Sequence, residues 1–342
     1  MSIVTLIGID LGKHSFHLHA QDAAGRMVFR KKLTRSQLLG QLANVPACTV
    51  VMEACAGAHW IARQLAALGH TAKLISPQFV KPFVQGNKND FNDAQAICEA
   101  ASRPSMRFVT PRNEAQQTLS ALHRVREGLV RQRTAATNQI HAFLLEFGIS
   151  LPKGLAVIKR LPAVLALHPD LPVRLVALLE RLRAHFTYLD EQVAEVEREL
   201  AQQLKEDESS QRLLEIPGIG PITASALSIE LGDARQFGSS RQFAASLGLV
   251  PRQYSTGGKP TLLGISKRGD KNLRRLLVQC ARVLMQRIDK REDSLGRWVR
   301  DLLTRRHSNV VACALANKLA RIAWAILAKG THYQSDPAAS AA

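Results

Sequence analysis

Residues 4–13 read VTLIGIDLGK, and this stretch decides the fold of the first third of the chain. A short continuous apolar run that is bounded by a turn signal is typical of a strand buried on both faces. The alternating residues 14–20, HSFHLHA, and the run over residues 27–33 predict two further strands. Asp10 is therefore expected on the first of three consecutive strands, in the middle of a sheet.

Short strands and helices alternate from this stretch as far as Pro111, which is the mark of an α/β layer fold. The pattern predicts strands over residues 48–52 and 71–75 and helices over residues 34–42, over residues 57–68 and from residue 77. After a polar break, residues 91–102 read as another helix, with Asp90 and Asp93 on the same side of its opening turn. We expect residues 1–111 to form one α/β domain.

Four carboxylates are notable for their positions. Asp10 and Glu53 each end a predicted strand, and Asp90 and Asp93 open a predicted helix. If the sheet gathers these acids, repulsion between like charges would require bound cations. Carboxylate ligands suit Mg²⁺ or Mn²⁺ rather than zinc, and a pair of such ions can activate a nucleophile and stabilise the leaving oxygen at a phosphodiester. Scattered surface acids are the alternative interpretation.

Three histidines, His14, His17 and His19, alternate along the second predicted strand, so that His17 and His19 share a face. We interpret this strand as a partly exposed edge rather than as a metal site. The reason is that neither an acid nor a cysteine lies nearby in the sequence as a partner for the imidazoles.

The cellular compartment follows from cysteine usage and hydropathy. Five cysteines are scattered without a CxxC pair, which predicts a reduced compartment and argues against zinc. The first residues lack the basic and long apolar regions of a signal peptide. Because no segment approaches the roughly 20 apolar residues of a spanning helix, we expect a cytoplasmic protein that does not enter a membrane.

The positive charge is large and localised. The net charge is +18, from 46 Lys and Arg against 28 Asp and Glu, and residues 235–329 hold 20 Lys and Arg against only 5 Asp and Glu. A basic excess that is confined to one region argues for a polyanionic partner, DNA or RNA, whose binding is driven by counterion release.

The middle of the chain, residues 112–208, is expected to be helical. Residues 113–147 read as one long helix, and an irregular crossing follows it. Apolar residues then recur at spacings of four and three: Leu175, Leu179, Leu182, Phe186, Leu189, Val193, Val196 and Leu200. This repeat predicts a coiled coil, either against the earlier helix or across a dimer, and we favour an arm that takes part in self-association. An amphipathic helix of a bundle is the alternative.

Two motifs in the second half could contact phosphates. The turn Pro217-Gly218-Ile219-Gly220 between apolar helical segments is typical of a helix–hairpin–helix element, in which backbone N–H groups bind a phosphate without reading sequence; an ordinary helical turn is the alternative. The stretch Arg252-Gln253-Tyr254-Ser255-Thr256-Gly257-Gly258-Lys259 places two hydroxyls beside two glycines and several cations. These hydroxyls either attack a phosphate or only donate hydrogen bonds to it.

The basic side chains around these motifs are the candidates for nucleic-acid binding. They are Arg252, Lys259, Lys267, Arg268, Lys271, Arg274 and Arg275. Two further helices, over residues 271–286 and 295–327, are predicted to be basic on one side.

In the order of its motifs, the chain resembles the DEDD-type insertion-sequence transposases related to the Piv DNA invertase. The better-known members of that family are guided by a bridge RNA. The motifs that carry the resemblance are, in chain order, GIDLGK, VMEACAG, KNDFNDA, IPGIGPITA and GLVPRQYSTGGKPTLLGISKRGDKNLRRLL. The resemblance covers roughly residues 3–330. It implies a RuvC-like, RNase H-like N-terminal domain whose metal-binding tetrad falls on Asp10, Glu53, Asp90 and Asp93. It also implies a mainly α C-terminal transposase domain over residues 209–330, followed by a tail over residues 331–342.

The resemblance further implies that a serine attacks the DNA strand and forms a covalent phosphoserine. We assign the nucleophile to Ser255, with Thr256 as the register alternative. Strands of a donor and a target DNA would be exchanged inside a dimer of dimers, and a guide RNA would select both DNAs by base pairing.

Two other functions remain open from the residues. A RuvC-like structure-selective endonuclease that uses metal-activated water would explain the acids and the basic charge, but it leaves residues 254–259 without a role. A nucleic-acid-binding protein without enzymatic activity would explain only the charge.

Overall fold

A computed structural model describes residues 3–87 and 89–335 of the chain. Contacts between residues divide the chain into two compact units, Met1–Gln117 and Thr118–Ala342. Lys88, within the KNDFNDA motif, and residues 336–342 of the predicted tail lie outside the described residues.

The first unit contains the strands β1 Leu6–Leu11, β2 Ser15–Gln21, β3 Met27–Thr34, β4 Thr49–Glu53, β5 Thr71–Ile75 and β6 Phe108–Val109. They form one mixed sheet in the order β3-β2-β1-β4-β5-β6. β1, β4 and β5 run parallel, β2 runs antiparallel to β1 and β3, and β6 runs antiparallel to β5. The predicted α/β fold is confirmed, and so is the position of Asp10 on a central strand.

Helices cover both faces of this sheet. They are α1 Arg35–Ala43, α2 Ala58–Ala67, α3 Pro77–Val80 and α4 Asp90–Ala101. Ile7 and Ile9 of β1 belong to a core cluster with residues of α1 and α2, whereas Val51 and Ile75 cluster with residues of α3 and α4. β1 is therefore buried on both faces, as its apolar run predicts.

The second unit is mainly helical. Its elements are α5 Glu114–Leu145, α6 Ala156–Lys159, α7 Leu161–Ala166, α8 Val173–Glu206, α9 Glu208–Leu214, α10 Pro221–Leu231, α11 Ser240–Ser246, β7 Pro251–Gln253, β8 Leu262–Ile265, α12 Lys271–Met285, α13 Ser294–Arg305 and α14 Ser308–Lys329. β7 and β8 form an antiparallel hairpin. Residues of α9 to α14 share one apolar core.

The heptad face of α8 packs against helices of the same chain. Leu179 and Phe186 are buried in a cluster with Ile140 and Leu144 of α5. Two ion pairs join the helices in antiparallel register, Arg126 with Glu197 and Arg133 with Asp190. These contacts support the first of the two predicted partners, the earlier helix, and self-association stays a prediction.

The predicted single helix over residues 295–327 is wrong, because the chain breaks it into α13 and α14. Arg306 is extended, with φ of −137° and ψ of 144°. His307 then caps α14, since its Nδ1 accepts a hydrogen bond from the backbone N–H of Asn309 at 3.2 Å. Apolar residues continue on both sides of the break, so their periodicity alone does not reveal it.

α14 also corrects the expectation that no segment is long and apolar enough to cross a membrane, since this helix passes that test among the described residues. Its side chains explain the composition in another way. Leu315, Leu319 and Ala323 are fully buried in the core that α14 shares with α12.

Candidate functional site

Asp10 and Glu53 lie at the same edge of the sheet. β1 and β4 are parallel neighbours, and Ile9 is paired with Met52. The next residue on each strand is one of the two predicted acids, so that both carboxylates stand where adjacent parallel strands end.

The absence of a side chain at Gly8 allows α4 to pack directly on β1. A Cβ atom at Gly8 would lie 2.3 Å from the carbonyl oxygen of Ala94 and 2.8 Å from Cys98 Sγ, so only glycine fits. Gly8 and Asp10 share a face of the strand because side chains alternate. The close approach therefore brings the start of α4, with Asp90 and Asp93, toward the face that carries Asp10.

The start of α4 is fixed by Asn89, whose side chain caps the helix by accepting a hydrogen bond from Phe91 N at 2.9 Å. Asp90 is the first residue of α4 and Asp93 follows it by about one turn.

The pKa of Glu53 indicates that three of the acids, Asp10, Glu53 and Asp93, lie close enough to affect one another's ionisation. Burial raises the pKa of the Glu53 carboxyl above its usual value, and the charges of Asp10 and Asp93 raise it further. The pKa of the Cys55 thiol is raised by burial and then by Glu53 and Asp10. Carboxylates held this close disfavour one another's ionised form unless a cation compensates them.

Asp90 joins the group through a histidine. Asp10 is paired with His17 across β1 and β2, and His17 Nδ1 lies 3.4 Å from Asp90 Oδ2. One ligand atom each from Asp10, His17 and Asp90 lie within 4.8 Å of one another. The structure thus brings Asp10 and Asp90 together with His17 at metal-ligand spacing, and it brings Glu53 close enough to Asp10 and Asp93 for their charges to raise its pKa.

The interpretation of the histidines as a partly exposed edge is wrong. β2 lies between β1 and β3, and His17 and His19 are only 5% and 4% exposed. His17 also has the acid partners that the local sequence does not show. The signal that could have found it is hairpin register, because a short connection between β1 and β2 places His17 opposite Asp10.

The predicted hydroxyls of the second unit lie at the tip of the β7–β8 hairpin. Gly257 and Gly258 have φ of +55° and +76°, and Lys259 N donates a hydrogen bond to Thr256 O at 3.1 Å. This is a two-residue hairpin turn whose central residues both have positive φ, a conformation that favours glycine. Ser255 precedes the turn and is exposed, and its Oγ accepts a hydrogen bond from Gln253 Nε2 at 2.7 Å.

The cations assigned to nucleic-acid binding differ in exposure. Arg274 is half-buried and donates from Nη1 to Leu247 O at 2.8 Å. The others are exposed; they are Arg252, Lys259, Lys267, Arg268, Lys271 and Arg275.

Arg252 and Lys267 line a cleft of about 980 Å³ between the hairpin and α13–α14. Lys318 and Arg321 also line it, and none of its described lining residues is acidic. Lys318 Nζ lies 4.4 Å from the centre of the Trp298 ring, and burial together with Arg321 lowers the pKa of Lys318. The cleft therefore combines apolar walls with positive charge.

The Pro217–Gly220 turn connects α9 with α10. Gly218 has φ of +82°, a left-handed conformation that favours glycine. It also packs on α12, where a Cβ atom would lie 3.1 Å from Cys280 O. Gly220 is the N-cap of α10. Pro217 and Gly220 are half-buried, and Gly218 is exposed.

Comparisons with known proteins place this arrangement in a family. A DEDD transposase model named for IS110 matches residues 7–149, and a model described as Transposase IS116/IS110/IS902 family matches residues 210–295. The first match contains the four acids, and the second contains the hairpin.

Curated relatives are similar over nearly the whole chain. The transposase for insertion sequence element IS1328 of Yersinia enterocolitica is 66% identical over 97% of this chain and 99% of that protein. A probable family 20 transposase of Pseudomonas aeruginosa is 49% identical over 96% of this chain and 98% of that protein. The transposase for insertion sequence element IS1111A of Coxiella burnetii is 42% identical over 98% of this chain and 92% of that protein. This chain belongs to the IS116/IS110/IS902 family of insertion-sequence transposases, which are enzymes that bind DNA, cut it and transfer its strands.

Proposed function

We propose that this transposase cuts DNA with an RNase H-like, RuvC-like domain in which Asp10, Glu53, Asp90 and Asp93 hold divalent cations, Mg²⁺ or Mn²⁺. The strand order β3-β2-β1-β4-β5, with only β2 reversed, supports the fold assignment. The observation that carries the proposal is the convergence of the acids: Asp10 and Glu53 follow a paired position on adjacent parallel strands, and ligand atoms of Asp10 and Asp90 lie within 4.8 Å of each other.

In this proposal, the fold of the protein supplies negatively charged ligands and keeps them in place around the cations. Bound cations would supply Lewis acidity toward a phosphodiester. Gly8 fixes α4 against β1, and α4 in turn holds Asp90 and Asp93 beside the two strand-end acids. The raised pKa of Glu53 supports a site that is completed by positive charge.

Substitution of the acids tests this proposal. Asp10→Asn and Glu53→Gln are expected to lower DNA cutting by at least about a thousandfold in Mg²⁺ or Mn²⁺. DNA binding, measured by gel shift in the absence of metal, should change little because the carboxylates do not attract phosphates. Cutting at the wild-type rate by both variants would overturn the proposal.

Ser255 is the proposed nucleophile. Its Oγ accepts a hydrogen bond from Gln253, so the hydroxyl proton stays available for transfer as the oxygen attacks. A Ser255–phosphorus bond would form while the deoxyribose oxygen leaves with a proton. Thr256 is the alternative; its backbone closes the turn and its secondary hydroxyl is more hindered.

A denaturing gel of the protein–DNA adduct separates these cases. Ser255→Ala should lose the adduct and Thr256→Ala should keep it. Loss in Thr256→Ala alone would move the nucleophile to Thr256. A wild-type enzyme that cuts without any adduct would favour the RuvC-like nuclease that uses metal-activated water.

The partners follow from the basic second unit. We propose that the exposed cations and the Pro217–Gly220 turn hold donor and target DNA and a guide RNA of the bridge type, as the relation to the Piv invertase implies. We further propose that the protein acts in the cytoplasm as a homodimer or a dimer of dimers. Each subunit would comprise a catalytic domain over residues 1–111, a helical region over residues 112–208 and a transposase domain over residues 209–330. If these cations carry binding, DNA affinity should fall steeply with salt, and a flat salt response would contradict it.

A further inference from the structure

His17 is a buried imidazole that faces carboxylates rather than apolar side chains alone. Only 7% of its side chain is exposed, and the ring is held edge-on to Phe91 with 4.8 Å between centroids. Asp10 lies opposite it on β1, and Asp90 Oδ2 lies 3.4 Å from its Nδ1. A ring nitrogen, which is a potential metal ligand, is thus held at the edge where the acids gather.

The spacing of these atoms suits a single ion. Around a six-coordinate cation with bonds of about 2.1 Å, neighbouring ligand atoms are about 3.0 Å apart and opposite ones about 4.2 Å apart. The ligand atoms of Asp10, His17 and Asp90 lie within 4.8 Å of one another. His17 Nδ1 and Asp90 Oδ2, at 3.4 Å, are close to the spacing of neighbouring ligands, and the carboxylate of Asp10 would move closer to complete the set.

We propose that His17 Nδ1 is a direct ligand of one of the cations. That cation would then be bound by carboxylate oxygens of Asp10 and Asp90 and by one nitrogen of His17. The inference rests on the proposed metal-binding function of the acids and adds a ligand that the four acids do not include. Its consequence is selectivity, because imidazole raises the affinity for transition metals such as Mn²⁺ more than for Mg²⁺.

His19 provides a matched control. It stands two residues further along β2 on the same face and is equally buried. Its Nδ1, however, accepts a hydrogen bond from Arg30 Nε at 3.2 Å, and its carbonyl accepts one from the Cys98 thiol at 3.3 Å. His17→Phe and His19→Phe therefore each remove one imidazole from the same strand. Only His17→Phe removes an imidazole that lies next to Asp10 and Asp90.

The experiment is pulsed electron paramagnetic resonance of Mn²⁺ bound to the full-length protein without DNA. Wild type and His19→Phe should show a ¹⁴N coupling of a directly bound imidazole, and labelling with ¹⁵N-histidine should convert it to a ¹⁵N coupling. His17→Phe should lose the coupling, with Mn²⁺ affinity at least about tenfold weaker and a smaller change for Mg²⁺.

Two results would overturn the inference. In the first, Mn²⁺ binds wild type and requires Asp10, but the spectrum shows no nitrogen coupling. The acids would then bind the metal without His17, which would be only a positioning residue. In the second, the coupling persists in His17→Phe. Because the isotope experiment uses wild type alone, it remains decisive even if His17→Phe does not fold. The proposed metal site itself fails separately, if Asp10→Asn and Glu53→Gln bind Mn²⁺ like wild type.

Discussion

The carboxylates of the first unit stand on strands and a helix that are packed from both sides, whereas the hydroxyls of the second unit stand at the tip of an exposed two-stranded hairpin. Gly8 has no room for even one further carbon atom, while an added Cβ at Gly257 or Gly258 would meet no atom of residues 3–87 and 89–335 within 4 Å. The acids are therefore fixed by the fold itself. The hydroxyl loop is held by its turn and by hydrogen bonds within its own hairpin, such as the one from Gln253 Nε2 to Ser255 Oγ.

The largest expected effect of a single substitution is at Gly8. Gly8→Ala would press a methyl group into the backbone of α4, and we expect a loss of about 3 kcal/mol in the free energy of unfolding. DNA cutting should fall with it because α4 carries two of the acids. Gly40→Ala in α1, where an added Cβ meets no atom of the described residues within 4 Å, is the control and should be neutral or stabilising by up to about 1 kcal/mol. A melting temperature of Gly8→Ala equal to that of wild type would refute the packing argument.

The second unit should respond to acid through His123. Burial, helped by Arg126, lowers the pKa of His123 to about 4, and its Nε2 lies 3.0 Å from Ser225 Oγ. Between pH 6.5 and 4 the unfolded chain binds a proton that the folded unit does not, so stability is lost as the pH falls, by up to about 3 kcal/mol. Thermal melts should show this slope in wild type and a weaker one in His123→Gln. Identical slopes would contradict the assignment.

Glu53 should give the opposite response in the first unit. Its pKa is raised in the folded state, so the folded unit holds more protons than the unfolded chain in the window above the ordinary carboxyl pKa. Without metal, stability is thus lost as the pH rises through that window. Glu53→Gln is expected to melt at a higher temperature than wild type in metal-free buffer at neutral pH, because it removes a carboxylate that the folded unit holds close to Asp10 and Asp93. A lower melting temperature in metal-free buffer would show that the carboxylates do not repel one another.

The smallest effect on stability is expected at the hairpin. Gly258→Ala forces a side chain into a left-handed conformation at a cost of about 1 kcal/mol, but the strain is confined to an exposed turn. We expect the free energy of unfolding of the second unit to fall by no more than this roughly 1 kcal/mol, while the protein–DNA adduct decreases several-fold. Gly128→Ala in α5, which has open space and ordinary φ, is the control. Equal adduct yields for Gly258→Ala and Gly128→Ala would show that the shape of the turn does not matter for adduct formation.

Local patterns in the sequence predicted the parts of the fold that they determine. Apolar runs located β1 and β4 and placed Asp10 and Glu53 at their ends, and the polar break before Asp90 located the start of α4. His17 was missed because its partner on β1 depends on the register of two strands. The end of α13 at Arg305 was missed because apolar residues continue beyond it. The predicted partner of α8 was left open, since a heptad pattern does not distinguish a helix of the same chain from that of a second one.

The central claim, that the acids share divalent cations, is tested most directly by titrating Mn²⁺ into the full-length protein at neutral pH by calorimetry. Wild type should bind Mn²⁺, and Glu53→Gln and Asp10→Asn should bind it at least about tenfold more weakly, because each variant lacks one of the carboxylates that the cation would neutralise. Equal Mn²⁺ affinity in wild type and both variants would contradict the claim.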